Sequence, residues 1–456
     1  MLIGHGYSGR QCARSLRARG NSLMGNRTSS FGVVGKVTAL AVFALSMLAA
    51  AQQGQERVLH SFNGSDGYTP EGGLVMDASG NLYGTTSAYG TYQAGTAFEL
   101  SPGSGAWKEK VLHNFGSGTD GAYPYSGLAV DSSGNLYGTT LQGGTNSSGT
   151  VFELMPNADG AWSEKVLHDF DLFSEGGDGA YPYGGLILDA SGNLYGTLSA
   201  GAGHGEGAVF ELTPNRDGSW TEILLYSFMQ NGVDGNYPTG SLTFDRQGRL
   251  YGTTLLGGTY YNCYGNEYGC GTVFELAPQA GGAWTETVLH DFDNNGSDGN
   301  EPRSNLTFDA AGNLYGTDAW GGSQPNCFGN GFGCGTVFEL SPTVDGDWIE
   351  KTVHEFGSGQ DGSAPASNLI FDKAGNLYGT TAYGGAFGSG IAFELVRSGD
   401  EWTERILHNF FQKSTDGTVP VAGPVLDSAG NIYGTTSFGG SNGGTRVGGT
   451  VYEIKP

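Results

Sequence analysis

The chain has 456 residues, of which 83 are glycine and 12% are aromatic, and its net charge at pH 7 is −24. The aromatic content excludes a flexible linker or a disordered chain, because such chains lack large apolar side chains. The acidic charge argues against nucleic acid and anionic membranes as partners, since their phosphate groups repel it, and it is compatible with a cation or a neutral glycan.

Residues 1–51 are predicted to form a signal peptide region. They hold six of the 21 basic residues and no acidic residue, and an apolar run over 37–48 precedes three alanines at 49–51. This pattern is typical of a secretory signal cleaved near Ala51, and a start at Met24 would give it an ordinary length. An uncleaved membrane anchor is the alternative, but the run is shorter than the roughly 20 residues of a spanning helix. We therefore expect a secreted, periplasmic or cell-surface protein with no membrane span after signal removal.

A six-residue signature, Gly-Asn-Leu-Tyr-Gly-Thr, then recurs seven times, twice with one substitution. The first glycines of the copies are Gly80, Gly134, Gly192, Gly248, Gly312, Gly375 and Gly430. Successive copies are 54 to 64 residues apart. A period in this range indicates a propeller or a solenoid rather than several independent domains.

Each repeat contains four strand-like stretches, which in one unit cover 107–115, 127–131, 135–140 and 149–154. Their β-branched and aromatic residues, bounded by glycine-rich turns, are typical of a propeller blade. The last repeat lacks a fourth strand, and the mature chain starts with a lone copy of that strand at 57–62. The predicted fold is therefore all-β: a seven-bladed β-propeller over residues 52–456, with four antiparallel strands per blade, closed by the N-terminal strand.

Several residues recur at fixed positions of the repeat, and Asp131, Glu153, His113 and Gly138 are examples. A group present in every blade cannot by itself define one active site, so we interpret these groups as structural. The aspartate is predicted to cap a turn, and the histidine, replaced once by Tyr226, to link a strand to a loop. The glutamate should meet a backbone N–H, a lysine or a tryptophan. The glycine should make room for packing between blades.

Four cysteines lie in two loops of neighbouring repeats. Cys263 and Cys270 are separated by six residues, as are Cys327 and Cys334. Three pairings are possible, and the local symmetry favours a disulfide within each loop. A zinc site is the competing interpretation, although its paired ligands are usually two to four residues apart and neither loop has a histidine. Two loop disulfides indicate an oxidising compartment.

An Asp-Gly-x-x-Pro loop precedes the innermost strand of every repeat and, in a propeller, would reach the mouth of the ring. The residues beside its proline differ between repeats, and many are tyrosines, whose flat faces and polar tips suit sugars or peptides. The candidate binding residues are Glu71, Tyr123, Tyr125, Tyr181, Tyr183, Tyr237, Glu301 and Arg303, with Trp320 in the loop after one signature. No catalytic residue, metal ligand or cofactor is predicted. The segment 293–298 suggests Ca²⁺ but departs from the EF-hand pattern.

The combined pattern Asp-x-x-Gly-Asn-Leu-Tyr-Gly-Thr-Thr, Gly-Thr-Val-Phe-Glu-Leu-x-Pro and Trp-x-Glu-x-Val-Leu-His-x-Phe resembles the GloVer tandem repeat of bacterial choice-of-anchor proteins. The match extends over residues 57–456. The resemblance implies a secreted or surface-attached bacterial β-propeller, and it carries no agreed activity.

We therefore expect a monomeric extracellular binding module for a glycan or a protein, with its ligand on the face that carries the Asp-Gly-x-x-Pro and cysteine loops. Two alternatives stay open. One is a propeller enzyme, a hydrolase, lyase or lactonase, with its site at the central mouth, which no nucleophile elbow, metal-ligand cluster or uniquely spaced acid pair supports. The other is a purely structural surface protein.

Overall fold

The structure is a computed structural model that describes residues 54–173, 177–260, 263, 268–293, 295–324, 327, 333–357, 360–442 and 448–456. The predicted signal region, 1–51, lies outside the described residues. The described chain consists of strands and turns, and its strands form seven antiparallel blades arranged in a ring. The predicted propeller is therefore confirmed. Across the described residues, no helix is long and apolar enough to span a membrane.

Each blade has an inner, a second, a third and an outer strand, paired in that order. From blade one to blade seven, the inner strands are Val75–Met76, Ala129–Val130, Ile187–Leu188, Thr243–Phe244, Thr307–Phe308, Ile370–Phe371 and Val425–Leu426. The second strands are Leu82–Thr86, Leu136–Thr140, Leu194–Leu198, Leu250–Thr254, Leu314–Gly321, Leu377–Thr381 and Ile432–Thr436. The third strands are Thr96–Ser101, Thr150–Pro156, Ala208–Pro214, Thr272–Pro278, Thr336–Pro342, Ile391–Ser398 and Thr450–Lys455. The outer strands are Lys108–Asn114, Trp162–Asp169, Trp220–Ser227, Trp284–Asp291, Trp348–Glu355, Glu401–Asn409 and Gln55–Ser61.

The first strand of the ring completes the last blade, as predicted. Gln55–Ser61 pairs antiparallel with Thr450–Lys455, and Gln55 lies opposite Lys455. Ladder hydrogen bonds therefore join the two ends of the propeller, and the third strand of blade seven has no exposed edge at this seam.

A buried threonine of each signature fastens its blade to the next one. Thr85 Oγ1 donates to the carbonyl of Ser126 at 2.8 Å, and Thr435 Oγ1 donates to the carbonyl of Gly72 at 3.4 Å across the seam. The donors of the other blades are Thr139, Thr197, Thr253, Thr317 and Thr380. Because these side chains are shielded from water, each bond contributes about 1 kcal/mol to holding the ring together.

The signature glycine makes room for a phenylalanine of its own blade. Gly138 lies opposite Phe152 on the third strand, and a Cβ at Gly138 would be 2.5 Å from Phe152 Cζ. Leu128, which precedes the inner strand, closes the other side at 2.9 Å. The prediction that this glycine serves packing between blades is therefore wrong, because the ring that fills the space comes from the neighbouring strand of the same blade.

The turn before each signature is capped as predicted. Asp131 Oδ1 accepts the backbone N–H groups of Ser133 at 2.8 Å and Asn135 at 2.9 Å, and Gly134 has φ 87°. The inner strand is shorter than the predicted 127–131. A Cβ on Gly127 would be 2.9 Å from the backbone of Gly73 in the preceding blade, so Gly127 packs across the blade boundary and not in the ladder.

The glutamate of the third strand has a partner that sequence reasoning missed. Glu153 Oε1 accepts the hydroxyl of the signature Tyr137 at 3.0 Å, and this tyrosine also donates to Asp131 at 3.3 Å. The same tyrosine–glutamate bond recurs at Glu211, Glu275, Glu394 and Glu453. The predicted lysine partner is present at Glu453, whose Oε1 is 3.6 Å from Lys455 Nζ. The tyrosine partner was not predicted, and it arises because adjacent strands place tyrosine and glutamate directly opposite each other.

Short ladders, which the sequence did not predict, extend the second strands towards one end of the ring. They pair Gly121–Ala122 with Gln142–Gly143, Gly235–Asn236 with Leu256–Gly257, Gly299–Pro302 with the end of Leu314–Gly321, Gly362–Ser363 with Tyr383–Gly384, and Gly417–Thr418 with Phe438–Gly439. Blades one and three have single bridges in the same place. The Asp-Gly-x-x-Pro loops and the loops after the second strands therefore share one face, which we call the loop face.

Candidate binding site

The loop face is built on a strained residue that repeats in every blade. The residue before the loop proline has φ between 53° and 60°, a left-handed conformation that a side chain rarely adopts, and these residues are Thr69, Tyr123, Tyr181, Tyr237, Glu301, Ala364 and Val419. Its N–H donates to a loop of the preceding blade, as from Tyr123 to the carbonyl of Ala94 at 2.8 Å. Because the backbone is held from both blades, the side chains next to the proline have fixed positions.

Two tyrosines that follow the loop prolines of blades two and three pack against each other. The ring centroids of Tyr125 and Tyr183 are 5.7 Å apart and the rings are inclined by 41°. Tyr183 is 39% exposed, so it offers part of its ring to a ligand. Tyr237, which precedes the proline of blade four, is 41% exposed. The propeller thus presents an arc of aromatic surface across three blades.

The same group includes one acid and one base. Burial raises the pKa of Glu71 to about 7, and a hydrogen bond from Ser87 opposes this effect. Burial and then the charge of Glu71 raise the pKa of Tyr125 to about 12. Burial, Glu71 and Tyr237 raise the pKa of Tyr183, while the charge of Arg303 lowers it. Glu71, Tyr125, Tyr183, Tyr237 and Arg303, which we call the tyrosine cluster, therefore act on one another across five consecutive blades.

Arg303 is held in place by Glu301. Arg303 Nε donates to Glu301 Oε2 at 3.1 Å, and its Nη2 contacts the same oxygen. The Glu301 side chain is buried, whereas the Arg303 side chain is 47% exposed. Glu301 therefore positions the guanidinium, which keeps free donors for a ligand.

Three other predicted residues lie on the loop side of blades two, three and five. Tyr123 is 37% exposed on the loop face, and Tyr181 is partly buried in the equivalent position of blade three. Trp320 lies opposite Asn300 in the ladder of blade five, at the base of a disulfide loop. These three residues extend the candidate surface around the tyrosine cluster.

Sequence reasoning missed Ser87 as a member of this site. Ser87 is 3% exposed, its hydroxyl donates to the carbonyl of Thr69 at 3.1 Å, and its polar side chain lowers the pKa of both Glu71 and Tyr125, against the effect of burial. Its position directly follows the second strand and holds leucine, serine or alanine in the other blades. That variation was a usable signal, because departures from the repeat are where an asymmetric site can arise.

Both cysteine pairs form the predicted loop disulfides, Cys263–Cys270 and Cys327–Cys334, each with a Cα–Cα distance of 5.3 Å. The zinc interpretation is therefore wrong. Cys270 is fully buried in the core of blades four and five, while Tyr268 beside it is 51% exposed on the loop face. The disulfides anchor these longer loops to the blades that carry them.

A cleft lies at the end of the propeller opposite the loop face, between blades four and five. It has a volume of about 740 Å³, and its walls include Arg246, Arg249, Phe308 and Trp348. Arg249 replaces the signature asparagine, and it forms ion pairs with Asp245 at 2.6 Å and with Glu275 at 3.0 Å. Because two carboxylates neutralise this guanidinium, the cleft offers a ligand less charge than its arginines suggest.

The repeated histidines connect the outer strand to the Asp-Gly-x-x-Pro loop that follows it, as predicted. The distance from His Nε2 to the nearest carboxylate oxygen of the loop aspartate is 2.8 Å for His113–Asp120 and 3.0 Å for His60–Asp66. In blade three, Tyr226 donates to Asp234 at 2.8 Å instead. A glutamate of the next blade's outer strand faces each pair, and we call these groups the junction clusters.

The junction glutamates make folding stability depend on pH. Burial raises the pKa to about 7 for Glu164, Glu222, Glu286 and Glu350, and to about 8 for Glu404. Between pH 4.5 and 7 the folded chain therefore binds more protons than the unfolded chain. The stabilisation from these protonated carboxyls is complete at low pH and is lost as pH rises. We expect the free energy of unfolding to be lower at pH 8 than at pH 5, by roughly 1 kcal/mol per carboxyl after solvent screening. Chemical denaturation measures the difference, in the presence of a chelator so that no metal ion contributes.

The control for this experiment is the triple variant Glu164→Gln, Glu222→Gln, Glu286→Gln, which fixes three of the groups in a neutral form. Its free energy of unfolding should change less between pH 5 and pH 8 than that of the unmodified chain. The pH window avoids the turn aspartates, such as Asp427, whose pKa is lowered and which lose stability only in stronger acid. Equal slopes for the two proteins would contradict the assignment.

Comparison with known proteins identifies the repeat. A model of the Gloeobacter/Verrucomicrobia repeat matches residues 16–265 and 261–456. No curated protein matches the chain. Among solved structures, a "putative 6-phosphogluconolactonase" of Bacteroides uniformis is 13% identical, with a TM-score of 0.47 over 74% of this chain and 83% of its own. Another from Bacteroides fragilis is 15% identical, with a TM-score of 0.46 over 77% and 86%.

Proposed function

The chain belongs to the Gloeobacter/Verrucomicrobia repeat family, and on the propeller that its repeat builds we propose an extracellular binding module that holds a glycan at the tyrosine cluster. The observation that carries the proposal is the asymmetry of the loop face. The scaffold is the same in all seven blades, whereas tyrosines, Glu71 and Arg303 stand beside the loop prolines only in blades one to five.

The chemistry of the cluster suits a sugar. Tyr183 and Tyr237 each expose about two fifths of their surface, which leaves flat apolar area for the C–H faces of a pyranose ring. Arg303 donates hydrogen bonds and Glu71 accepts or donates them, depending on its protonation near pH 7. A few polar groups around aromatic walls are the usual composition of a small-ligand site. A neutral or weakly charged glycan also avoids repulsion from the acidic protein.

An extracellular location is part of this proposal. Two disulfides in one chain are typical of proteins that fold in an oxidising compartment. The predicted signal region supplies a route of export. N-terminal sequencing of the secreted protein would test the predicted cleavage near Ala51. The disulfides and the loops that they anchor would then face the outside of the cell.

The binding proposal predicts that Tyr125→Ala and Tyr183→Ala each weaken glycan binding while the fold is retained. Loss of one stacking ring should weaken binding by roughly tenfold to a hundredfold, about 1.5–3 kcal/mol. A glycan array with the unmodified chain identifies a ligand, and calorimetry then measures its affinity for each variant. Circular dichroism and the unfolding midpoint establish that the variants are folded.

Two matched variants locate the site. Phe173→Ala removes an aromatic side chain that is 86% exposed outside the cluster, and Arg246→Ala changes the cleft at the opposite end of the ring. Both should bind the glycan as the unmodified chain does. Loss of binding in Arg246→Ala alone would place the ligand in that cleft, and an array on which only peptides or proteins bind would replace the glycan with a protein partner.

The Glu71 carboxyl favours one second candidate, a propeller hydrolase of the same ligand. A carboxyl whose pKa is raised to about 7 by burial can act as a general acid near neutral pH. Turnover of the bound glycan that Glu71→Gln removes without loss of binding would support the enzyme. Binding without turnover in the unmodified chain would contradict it.

A further inference from the structure

The repeat is also broken at the seam, on the third strand of blade seven. Tyr452 occupies the position that phenylalanine holds in the other six blades. Its side chain is fully buried, and its hydroxyl has no hydrogen-bond partner among the residues that the structure describes. Burial, Glu56 and Asp416 raise the pKa of this hydroxyl, so it lies within electrostatic reach of both carboxyls. A buried hydroxyl without a partner is costly, and its presence points to a group that the polypeptide does not supply.

The carboxyls that Tyr452 faces belong to the most enclosed junction cluster. His408 Nε2 is 3.0 Å from Asp416 Oδ2, and the two side chains are 5% and 2% exposed. Glu56 comes from the first strand, where it lies opposite Ile454. Its Oε1 is buried and has no hydrogen-bond partner within the described part of the chain. One ligand atom each from Glu56, His408 and Asp416 lies within 4.8 Å of the other two.

The contacts of this cluster support Asp416 but leave the buried Oε1 of Glu56 without a donor among the described residues. Asp416 accepts the N–H of Gly417 at 2.8 Å and of Gln412 at 3.1 Å, so its own oxygens are well supplied. Two carboxyls and one imidazole around a buried hydroxyl therefore form a donor set that a cation would satisfy.

We propose that Glu56, His408 and Asp416 form a binding site for a divalent transition-metal ion of the Zn²⁺ or Mn²⁺ class, bordered by the Tyr452 hydroxyl. The imidazole nitrogen favours these ions over Ca²⁺ and Mg²⁺, which take oxygen ligands. Ligand atoms about 2.1 Å from an ion are roughly 3 Å apart at right angles, as in an octahedral Mn²⁺ site, and roughly 3.4 Å apart in a tetrahedral Zn²⁺ site. His408 Nε2 and Asp416 Oδ2 are 3.0 Å apart, which fits the first geometry and needs a small separation of the pair for the second.

The ion would fasten the ring at its closure. His408 belongs to blade six and Asp416 to the loop that leaves it, whereas Glu56 belongs to the strand that completes blade seven. Coordination would therefore tie the first strand of the propeller to the blade before it. An ion that binds only the folded ring stabilises it in proportion to its concentration.

Other junctions contain the same types of ligand, and one has a tyrosine in place of the histidine. The same donor types lie within the same distance at three further junctions, formed by His60, Asp66 and Glu109, by His113, Asp120 and Glu164, and by His354, Asp361 and Glu404. The blade-three junction has Tyr226 in place of the histidine and is built in the same way. A tyrosine at this position is therefore compatible with the blade.

The experiment measures bound metal on the full chain after chelator treatment and dialysis against ZnCl₂ or MnCl₂. The variant His408→Tyr, which copies the residue of blade three, should bind one ion per chain fewer than the unmodified protein. Glu56→Gln, which keeps the shape of the side chain, should lower the affinity of that site at least tenfold in calorimetry. Both variants should show a smaller rise of the unfolding midpoint on adding metal.

His168→Tyr is the matched control. Its junction, with Asp178, has the same histidine–aspartate contact at 2.9 Å, but among the described residues it does not bring three ligand atoms within the same distance. It should retain the metal content of the unmodified chain. The proposal is overturned if the unmodified chain binds neither Zn²⁺ nor Mn²⁺ stoichiometrically, or if Glu56→Gln and His408→Tyr retain its full metal content.

Discussion

Deletion of residues 54–62 is expected to abolish the folded ring, the largest effect of any change considered for this chain. The deletion removes the outer strand of blade seven and leaves Thr450–Lys455 with an unpaired edge. It also removes Phe62, a fully buried residue that packs with Leu74 and Phe98 in the core of blade one. Loss of such a ring alone costs about 3–5 kcal/mol, a large part of the 5–15 kcal/mol that usually stabilises a folded protein.

The measurement is chemical denaturation followed by circular dichroism, with size-exclusion chromatography to detect association through the free edge. The control is a permuted chain in which residues 54–62 follow Pro456 through a short linker. Because Gln55 lies opposite Lys455, a hairpin can make this connection. The permuted chain should recover the fold, which separates loss of the strand from loss of the chain order. A deletion variant with an unchanged unfolding midpoint would contradict this account of closure.

The closure could be predicted because the copies of each strand can be counted along the sequence. A lone copy of the outer strand at 57–62 and a lone third strand at the other end can complete only each other. The turn cap was equally visible, since Asp131 and the residues that it bonds lie within four positions. Contacts of this kind depend on local geometry or on counting strands, and the sequence contains both.

The junction clusters could not be predicted, because their contacts depend on how adjacent blades are packed. Glu164 faces His113 of the preceding blade and Asp120 of the loop between the two blades, both more than forty residues away. In the sequence the glutamate is one of several polar residues on an alternating outer strand, and solvent is the default surrounding for such a residue. Only the packing of neighbouring blades shows that it is buried beside a second carboxyl.

The candidate site lies between these cases. Variation beside the loop prolines pointed to Glu71, Tyr125 and Arg303, because a departure from a sevenfold pattern is visible without coordinates. Their mutual contacts were not visible, since they depend on the distance between successive blades near the axis. Ser87 was missed for the same reason: it varies among blades, but only the fold places it between Glu71 and Tyr125.

Replacement of the second signature glycine is expected to have the next largest effect. A Cβ at Gly138 would lie 2.5 Å from Phe152 Cζ and 2.9 Å from Leu128 Cδ2. Phe152 cannot move away, because it is fully buried and its ring centroid is 4.8 Å from that of Phe115. We expect Gly138→Ala to lower the free energy of unfolding by about 3 kcal/mol, the upper range for overpacking a core. Chemical denaturation measures the loss.

The first glycine of the same signature provides the comparison, because it is required for a different reason. Gly134 has φ 87°, and a Cβ there would meet no atom within 4 Å. Gly134→Ala should therefore cost only about 1 kcal/mol, from backbone strain, and Gly134→Asn less, since asparagine tolerates the left-handed region. Phe152→Leu should partly rescue Gly138→Ala, with a coupling of about 1 kcal/mol or more, and should leave the effect of Gly134→Ala unchanged. Equal losses at the two glycines, without rescue, would mean that backbone conformation and not ring packing fixes both positions of the signature.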